Sequence, residues 1–148
     1  FDFYGTGSKQ ATAWPTSDDG LLVLDRDGSG AIESGMELFG NVDSDFADGF
    51  EQLALLDSNA DGVISAADAR FADIRVWQDS DMNGVSTPAE LHSLLELGIT
   101  AIPTQGAEVS MRSGGTRIPF AAEAVTTSGT MLVGDAFFAT APYASNRL

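Results

Sequence analysis

The stretch "DSDMNGVSTPAELHSLLELG" (residues 79–98) joins an acidic, glycine-containing turn to a leucine-patterned run. How that run is read decides the fold. Thr87 stands where a helix cap belongs, Pro88 suits a first helical turn, and Leu91, Leu94 and Leu95 recur at helical spacing before Gly98. The pattern predicts a helix leaving the turn. In the turn, Asp79, Asp81 and Asn83 occupy alternate positions, Gly84 is sixth, the Val85 carbonyl and Thr87 follow at seventh and ninth, and Glu90 is twelfth. Calcium takes six to eight oxygens at about 2.3–2.6 Å, and an EF-hand loop supplies them at this spacing.

Two more stretches carry the same signal. "DSNADGVISAAD" (residues 57–68) offers Asp57, Asn59, Asp61, the Val63 carbonyl, Ser65 and Asp68, with Gly62 sixth. The closing aspartate is a methylene shorter than glutamate, which predicts weaker binding or greater tolerance of magnesium. "DRDGSGAIESGME" (residues 25–37) offers Asp25, Asp27, Ser29 and the Ala31 carbonyl, with Gly30 sixth and Glu33 a further candidate. Its twelfth position is Met36, and the closing acid is Glu37. Aligned on helix caps, Ser34 and Glu37 match Ser65 and Asp68 or Thr87 and Glu90. The first loop therefore reads as enlarged by one residue after its ninth position, with Gly35 beside the change. Three loops imply about three calcium ions. Ile32 and Ile64 at the eighth positions suggest that loops one and two pair, with Ser86 leaving loop three apart.

Charge supports cation binding. The chain has 148 residues with 7 basic and 22 acidic side chains, a net −15, and residues 18–96 alone hold 18 acids against 3 bases. The excess is interleaved with apolar residues rather than collected in a tail, as in a domain that folds around cations. The same sign argues against a nucleic-acid partner. No cysteine is present, so thiolate metal sites and disulfides are excluded. No apolar run approaches membrane-spanning length.

Around the loops, "LLVL" and "IRVW" read as strands and "GFEQLALLD" as a helix capped by Asp48, burying Phe50, Leu53 and Leu56. A further short helix is expected through "AADARFADI". Beyond Gly98, "ITAIP", "AEVSMR", "TRIPFAAEAVTT" and "TMLVGDAFFAT" are β-rich, separated by the turns "SGGT" and "TSG". The expectation is one α+β module over residues 1–148. EF-hand-like calcium loops with short helices (18–98) pack against a small antiparallel β-sheet or hairpin (99–148). Asp43, Asp45 and Asp48 read as a solvated acidic loop, "DFYGTG" (residues 2–7) as a turn that echoes the start of a loop but has Tyr4 in place of a ligand and no closing acid, His92 as a surface residue, and Trp14 and Trp77 as core or edge aromatics.

"SDDGLLVLDRDGSGAIESGMELFG", "GFEQLALLDSNADGVISAADARFADIRVWQDSDMNG" and "AELHSLLELGI", in this order, resemble the self-processing module of iron-regulated repeats-in-toxin (RTX) proteins. The resemblance covers residues 1–102. It implies a secreted, extracellular bacterial protein exported by type I secretion, with the module set among flanking domains of a larger chain. It also implies calcium-triggered cleavage of an Asp–Pro bond at the module's N-terminal edge. There the aspartate carboxylate attacks its own carbonyl, and water or a lysine of a partner protein opens the resulting anhydride. The five prolines here follow Trp14, Thr87, Ile102, Ile118 and Ala141, so no Asp–Pro is present. The resemblance places that bond upstream of Phe1, and no catalytic residue is assigned. The alternative is a purely structural, calcium-stabilised module of a toxin or adhesin.

Overall fold

Short β-branched and aromatic runs bounded by Asp/Gly turns favour strands, and strands dominate the computed structural model. It describes residues 1–11, 13–40, 48–113 and 116–137. Asp43, Asp45, part of the "SGGT" turn and the end of "TMLVGDAFFAT" lie outside them. One sheet has the order β1-β3-β4, from β1 (Leu21–Leu24), β3 (Ile74–Trp77) and β4 (Leu91–Ser93), all antiparallel. The other has the order β2-β5-β7-β6, from β2 (Val63–Ser65), β5 (Ile99–Pro103), β6 (Ala107–Ser113) and β7 (Thr116–Thr126). The strand β8 (Gly129–Phe137) pairs along the opposite edge of β7.

Alternation along β3 explains how the sheets meet. Ile74 and Val76 join Leu53, Ile64, Phe71, Leu94, Ile99, Ile102 and Ala124 in one core, which draws on both sheets in the manner of a β-sandwich. Trp77 faces the other way and joins Phe3, Val23, Ile32 and Leu38, with Phe1 and Trp14 packed against them. The first sheet is thus covered on both faces, once by the second sheet and once by the N-terminal segment.

This architecture overturns the α+β expectation. Among the described residues the α-helical part is α1 (Gly49–Ala54), capped by Asp48, whose carboxylate accepts from the Glu51 N–H at 2.8 Å. Single 3-10 turns at Gly35–Glu37, Phe71–Asp73 and Pro88–Glu90 stand where helices were expected to leave the loops. "TPAELHSLLELG" is the clearest correction. After its 3-10 turn the chain runs straight into β4, pairing Leu91 with Trp77 and Ser93 with Arg75. Leu94 is buried, but Leu95 is 65% exposed, so the leucine stripe does not form one face. A helix of two to three turns is marginal by itself. Here the ladder along β3 offers its backbone better partners than a helix would.

The predicted pairing of loops one and two is also corrected. Ile64 lies in β2 opposite Ile102 of β5. Loop one instead meets loop three, where the Ile32 N–H donates to Ser86 Oγ at 2.7 Å and the Ser86 hydroxyl donates to the Ile32 carbonyl. A serine hydroxyl takes the place of a backbone bridge.

Candidate metal centres

Each acidic loop begins with an aspartate leaving an ordered element, and the backbone then curls around its carboxylate. Asp25 Oδ2 accepts from the Gly30 N–H at 2.7 Å, Asp57 Oδ2 from Gly62 at 2.9 Å, and Asp79 Oδ2 from Gly84 at 2.7 Å. The other oxygen accepts from the residue before each glycine, namely Ser29, Asp61 and Asn83. The curl requires a left-handed residue at the fourth position as well as the sixth. Gly28 (φ +74°), Ala60 (+56°) and Met82 (+54°) occupy the fourth, and two of these three are not glycine. Such strain in side-chain-bearing residues clusters at ligand sites. The Gly30 N–H is the main cause holding the Asp25 carboxyl below the usual range. Burial alone would raise Asp79, but donation from Gly84, Trp14 and Asn83 outweighs it and the net direction is down. Its neighbour Asp81 is pushed up, by desolvation and by Asp79.

The closing acids are buried and held by a shared clasp. Glu37 accepts from the Arg26 N–H at 3.3 Å and the Glu33 N–H at 2.8 Å. Asp68 accepts from the Ser58 N–H and the Ser65 N–H, both at 2.8 Å, and the Ser65 contact is the chief cause of its lowered pKa. Glu90 accepts from Ser80 Oγ at 3.3 Å and the Thr87 N–H at 3.1 Å. In every loop the clasp joins the second and ninth positions. Its two arms bring three carboxylates together: Asp25, Asp27 and Glu37; Asp57, Asp61 and Asp68; Asp79, Asp81 and Glu90. Within each triad the oxygens lie within 4.8 Å of one another.

The remaining candidate residues fall around these triads. Asn59 and Asn83 turn their amide NH2 groups toward Asp61 and Asp81, at 3.2 and 2.8 Å. Ser29 Oγ lies 3.2 Å from the Ala31 carbonyl. Val63 stands in β2, Val85 is exposed, and Thr87 Oγ1 bonds Glu90. Glu33 contributes its N–H to the clasp, whereas its own carboxylate is exposed and outside the triad. Met36 is 43% exposed and Glu37 5%.

The additional residue of loop one has a structural use. Ser34 forms a parallel bridge with Asp2, and the Gly35 N–H donates to the Asp2 carbonyl at 3.0 Å. A Cβ on Gly35 would lie 2.2 Å from the Phe3 carbonyl oxygen, so close docking of the N-terminal segment requires glycine there. That segment holds "DFYGTG", whose resemblance to the start of a loop is borne out in its backbone. Asp2 accepts from Tyr4, Thr6 and Gly7, with Gly5 and Gly7 at φ +64° and +83°. It is the first half of a fourth loop with Tyr4 and Thr6 in place of donors three and five. The signal is present in sequence as glycines at the fourth and sixth positions, with Asp2 as the first.

All-oxygen triads with buried closing carboxylates fit a hard divalent cation better than a soft one, so the donor sets suit the predicted ion class. An SPM domain family model matches residues 1–139. Over 119 residues the chain is 45% identical to iron-regulated protein FrpA of Neisseria meningitidis serogroup C, an alignment covering 77% of this chain and 11% of that relative. The chain therefore spans only about a ninth of the length of the protein it matches.

Proposed function

The chain belongs to the SPM domain family, and from that premise we propose that it is a calcium-binding module of a secreted RTX-type protein, folding as its loops fill. One observation carries the reading. Three loops, one longer by a residue and one closed by aspartate instead of glutamate, converge on the same clasp and the same three-carboxylate triad. A solvated acidic turn has no need of a buried closing carboxylate held at both ends.

Without a cation, like charges within each triad repel, and the loop ends they join are pushed apart. A bound calcium supplies the compensating positive charge. Backbone N–H groups orient both oxygens of Asp25, Asp57 and Asp79, and the closing acids draw the loop ends together. Because an open chain holds no such arrangement, binding free energy becomes folding free energy. Calcium-rich surroundings outside the cell would then act as the folding trigger. Among the described residues no helix is long and apolar enough to cross a membrane.

The family resemblance further supports a role in autocatalytic cleavage of an upstream Asp–Pro bond, with flanking domains of the parent protein as immediate partners and a lysine-bearing protein as acceptor. A second reading shares the same metal chemistry: a purely structural, calcium-stabilised module of a toxin or adhesin. Circular dichroism and thermal melting in EDTA and then in millimolar calcium test the shared step. A gain of β signal and a higher melting temperature are expected; superimposable curves would sink the proposal. Extending the chain upstream to an Asp–Pro, then looking for a calcium-dependent break there, separates the two readings.

A further inference from the structure

Trp14 touches the loop-three centre from outside it. Its indole N–H donates to Asp79 Oδ2 at 2.7 Å, the same oxygen that accepts from Gly84. Loops one and two show no such third donor from a distant segment on Asp25 or Asp57 among the bonds described. The indole packs edge-on against Trp77 at 5.5 Å between centroids and lies 5.3 Å from Phe1, whose ring is in turn 5.2 Å from Phe3. Trp77 is fully buried at the end of β3, two residues before Asp79. The backbone N of Phe1 also lies 4.0 Å from where a Cβ on Gly84 would be. The N-terminal segment is therefore a strap. At one place it grips loop one, through Asp2, Ser34 and Gly35; at another it grips loop three, through Trp14 and Asp79.

We propose that Trp14 is a positioning residue for loop three, and that strap docking and cation binding at that loop favour one another. The proposal rests on the calcium-binding reading above. Asp79 Oδ2 is held by two donors, Trp14 and Gly84, and Oδ1 by the Asn83 N–H at 3.2 Å, so the whole carboxylate is fixed in orientation beside Asp81 and Glu90. Outer partners that orient a ligand in this way are commonly worth 10- to 100-fold in metal affinity. Coupling of this kind is reciprocal: if the docked strap raises affinity at loop three, occupancy of loop three must hold the strap down by the same factor.

The three sixth-position glycines provide one reporter per loop, because each amide donates to the first aspartate of its own loop. Calcium chloride titrated into the full chain, followed through the amide resonances of Gly30, Gly62 and Gly84, gives three midpoints. In Trp14→Phe, which keeps an aromatic ring and removes the N–H, the Gly84 midpoint should rise about tenfold while the other two stay in place. A purely structural role for Trp14 would leave Gly84 no different from Gly30 and Gly62, and that result overturns the proposal. No movement of any glycine in the wild-type chain would instead overturn the calcium-binding reading.

A second measurement does not depend on that variant folding. Calcium should slow hydrogen exchange at the strap amides of Gly7 and Gln10 as much in Asp68→Asn as in wild type, and markedly less in Glu90→Gln. Equal protection in both variants would refute the coupling.

Discussion

Replacing Glu37 by Gln asks which residue closes loop one, and two opposing effects set the size of the answer. The Glu37 carboxylate accepts from Glu33 at 2.8 Å and from Arg26 at 3.3 Å. Gln keeps one acceptor, which would serve the shorter bond, and turns an NH2 toward the Arg26 N–H. Losing one charge-assisted bond there costs about 1.5–3 kcal/mol. In the metal-free chain, however, the same change removes repulsion from Asp25 and Asp27, which lie with Glu37 in a triad spanning no more than 4.8 Å. At that separation each like-charge pair is worth about 1 to 3.5 kcal/mol for an effective dielectric between 80 and 20. With Asp27 exposed to water the high-dielectric end applies, the two pairs together relieve about 2 kcal/mol against the lost bond, and in EDTA Glu37→Gln should unfold within about 1 kcal/mol of wild type.

Calcium breaks the tie. At a concentration about one hundred times its dissociation constant, a filled site adds about 2.7 kcal/mol to unfolding free energy. Glu37→Gln should lose most of that increment, and Met36→Gln, altering a side chain 43% exposed, should lose none. Urea unfolding of both variants, with and without calcium, reads the difference directly. Loss of the increment in Met36→Gln, or its full retention in Glu37→Gln, would refute the assignment of Glu37 as the closing residue.

Asp135 is 7% exposed on β8, leaves Oδ2 without a partner, and is pushed up to about 6 by burial, with Asp48 adding repulsion against the Gly49 N–H contact. Between its open-chain value of 3.8 and about 6 the unfolded chain ionises first. Stability should therefore fall across that window as pH rises, by up to about 3 kcal/mol, and Asp135→Asn should flatten the decline in urea unfolding measured from about pH 3 to pH 7, roughly one unit either side of the window. Gly35→Ala should destabilise the fold by about 1–3 kcal/mol and raise exchange of the strap amides, since the new Cβ meets backbone rather than a mobile side chain. Unchanged exchange near Gly7 would show that the strap does not depend on that close approach.

Much of the site was legible in sequence because its chemistry is local. Asp, Asx and Gly at fixed offsets specify a curl that needs no distant contact, and the Glu37 displacement could be read from Ser34. The strands "LLVL" and "IRVW" were legible for the same reason, being short apolar runs bounded by turns. What failed was decided at a distance. "TPAELHSLLELG" carries a sound helical pattern, yet its backbone is claimed by β3, and nothing within residues 87–98 announces that claim. Ser86 was read as the mark of an isolated loop because it breaks the isoleucine pattern; its hydroxyl is the very group that joins loops three and one. The burial of Asp135 leaves no trace in sequence at all.

The failed helices change what cation binding would do. In a helix–loop–helix site the ion sets an angle between two rods that exist without it. Here loop three is the β3–β4 connection itself. Asp79 follows Trp77 by two residues, Glu90 immediately precedes β4, and the Gln78 N–H donates to the Glu90 carbonyl at 2.9 Å. Drawing Asp79 and Glu90 together thus aligns the first rung, Trp77 opposite Leu91. Loop two contains β2 within its own span, so the same closure presents Ile64 to Ile102 in the second sheet. Loop one begins where β1 ends and reaches loop three through Ile32 and Ser86. Closure of loops two and three would align strand pairing in one sheet and the other, and the two sheets share one core. Filling the loops would therefore shift the balance of this chain from an open chain toward a sandwich. A closed and an opened groove are the alternatives of a sensor with preformed helices, and this fold provides neither.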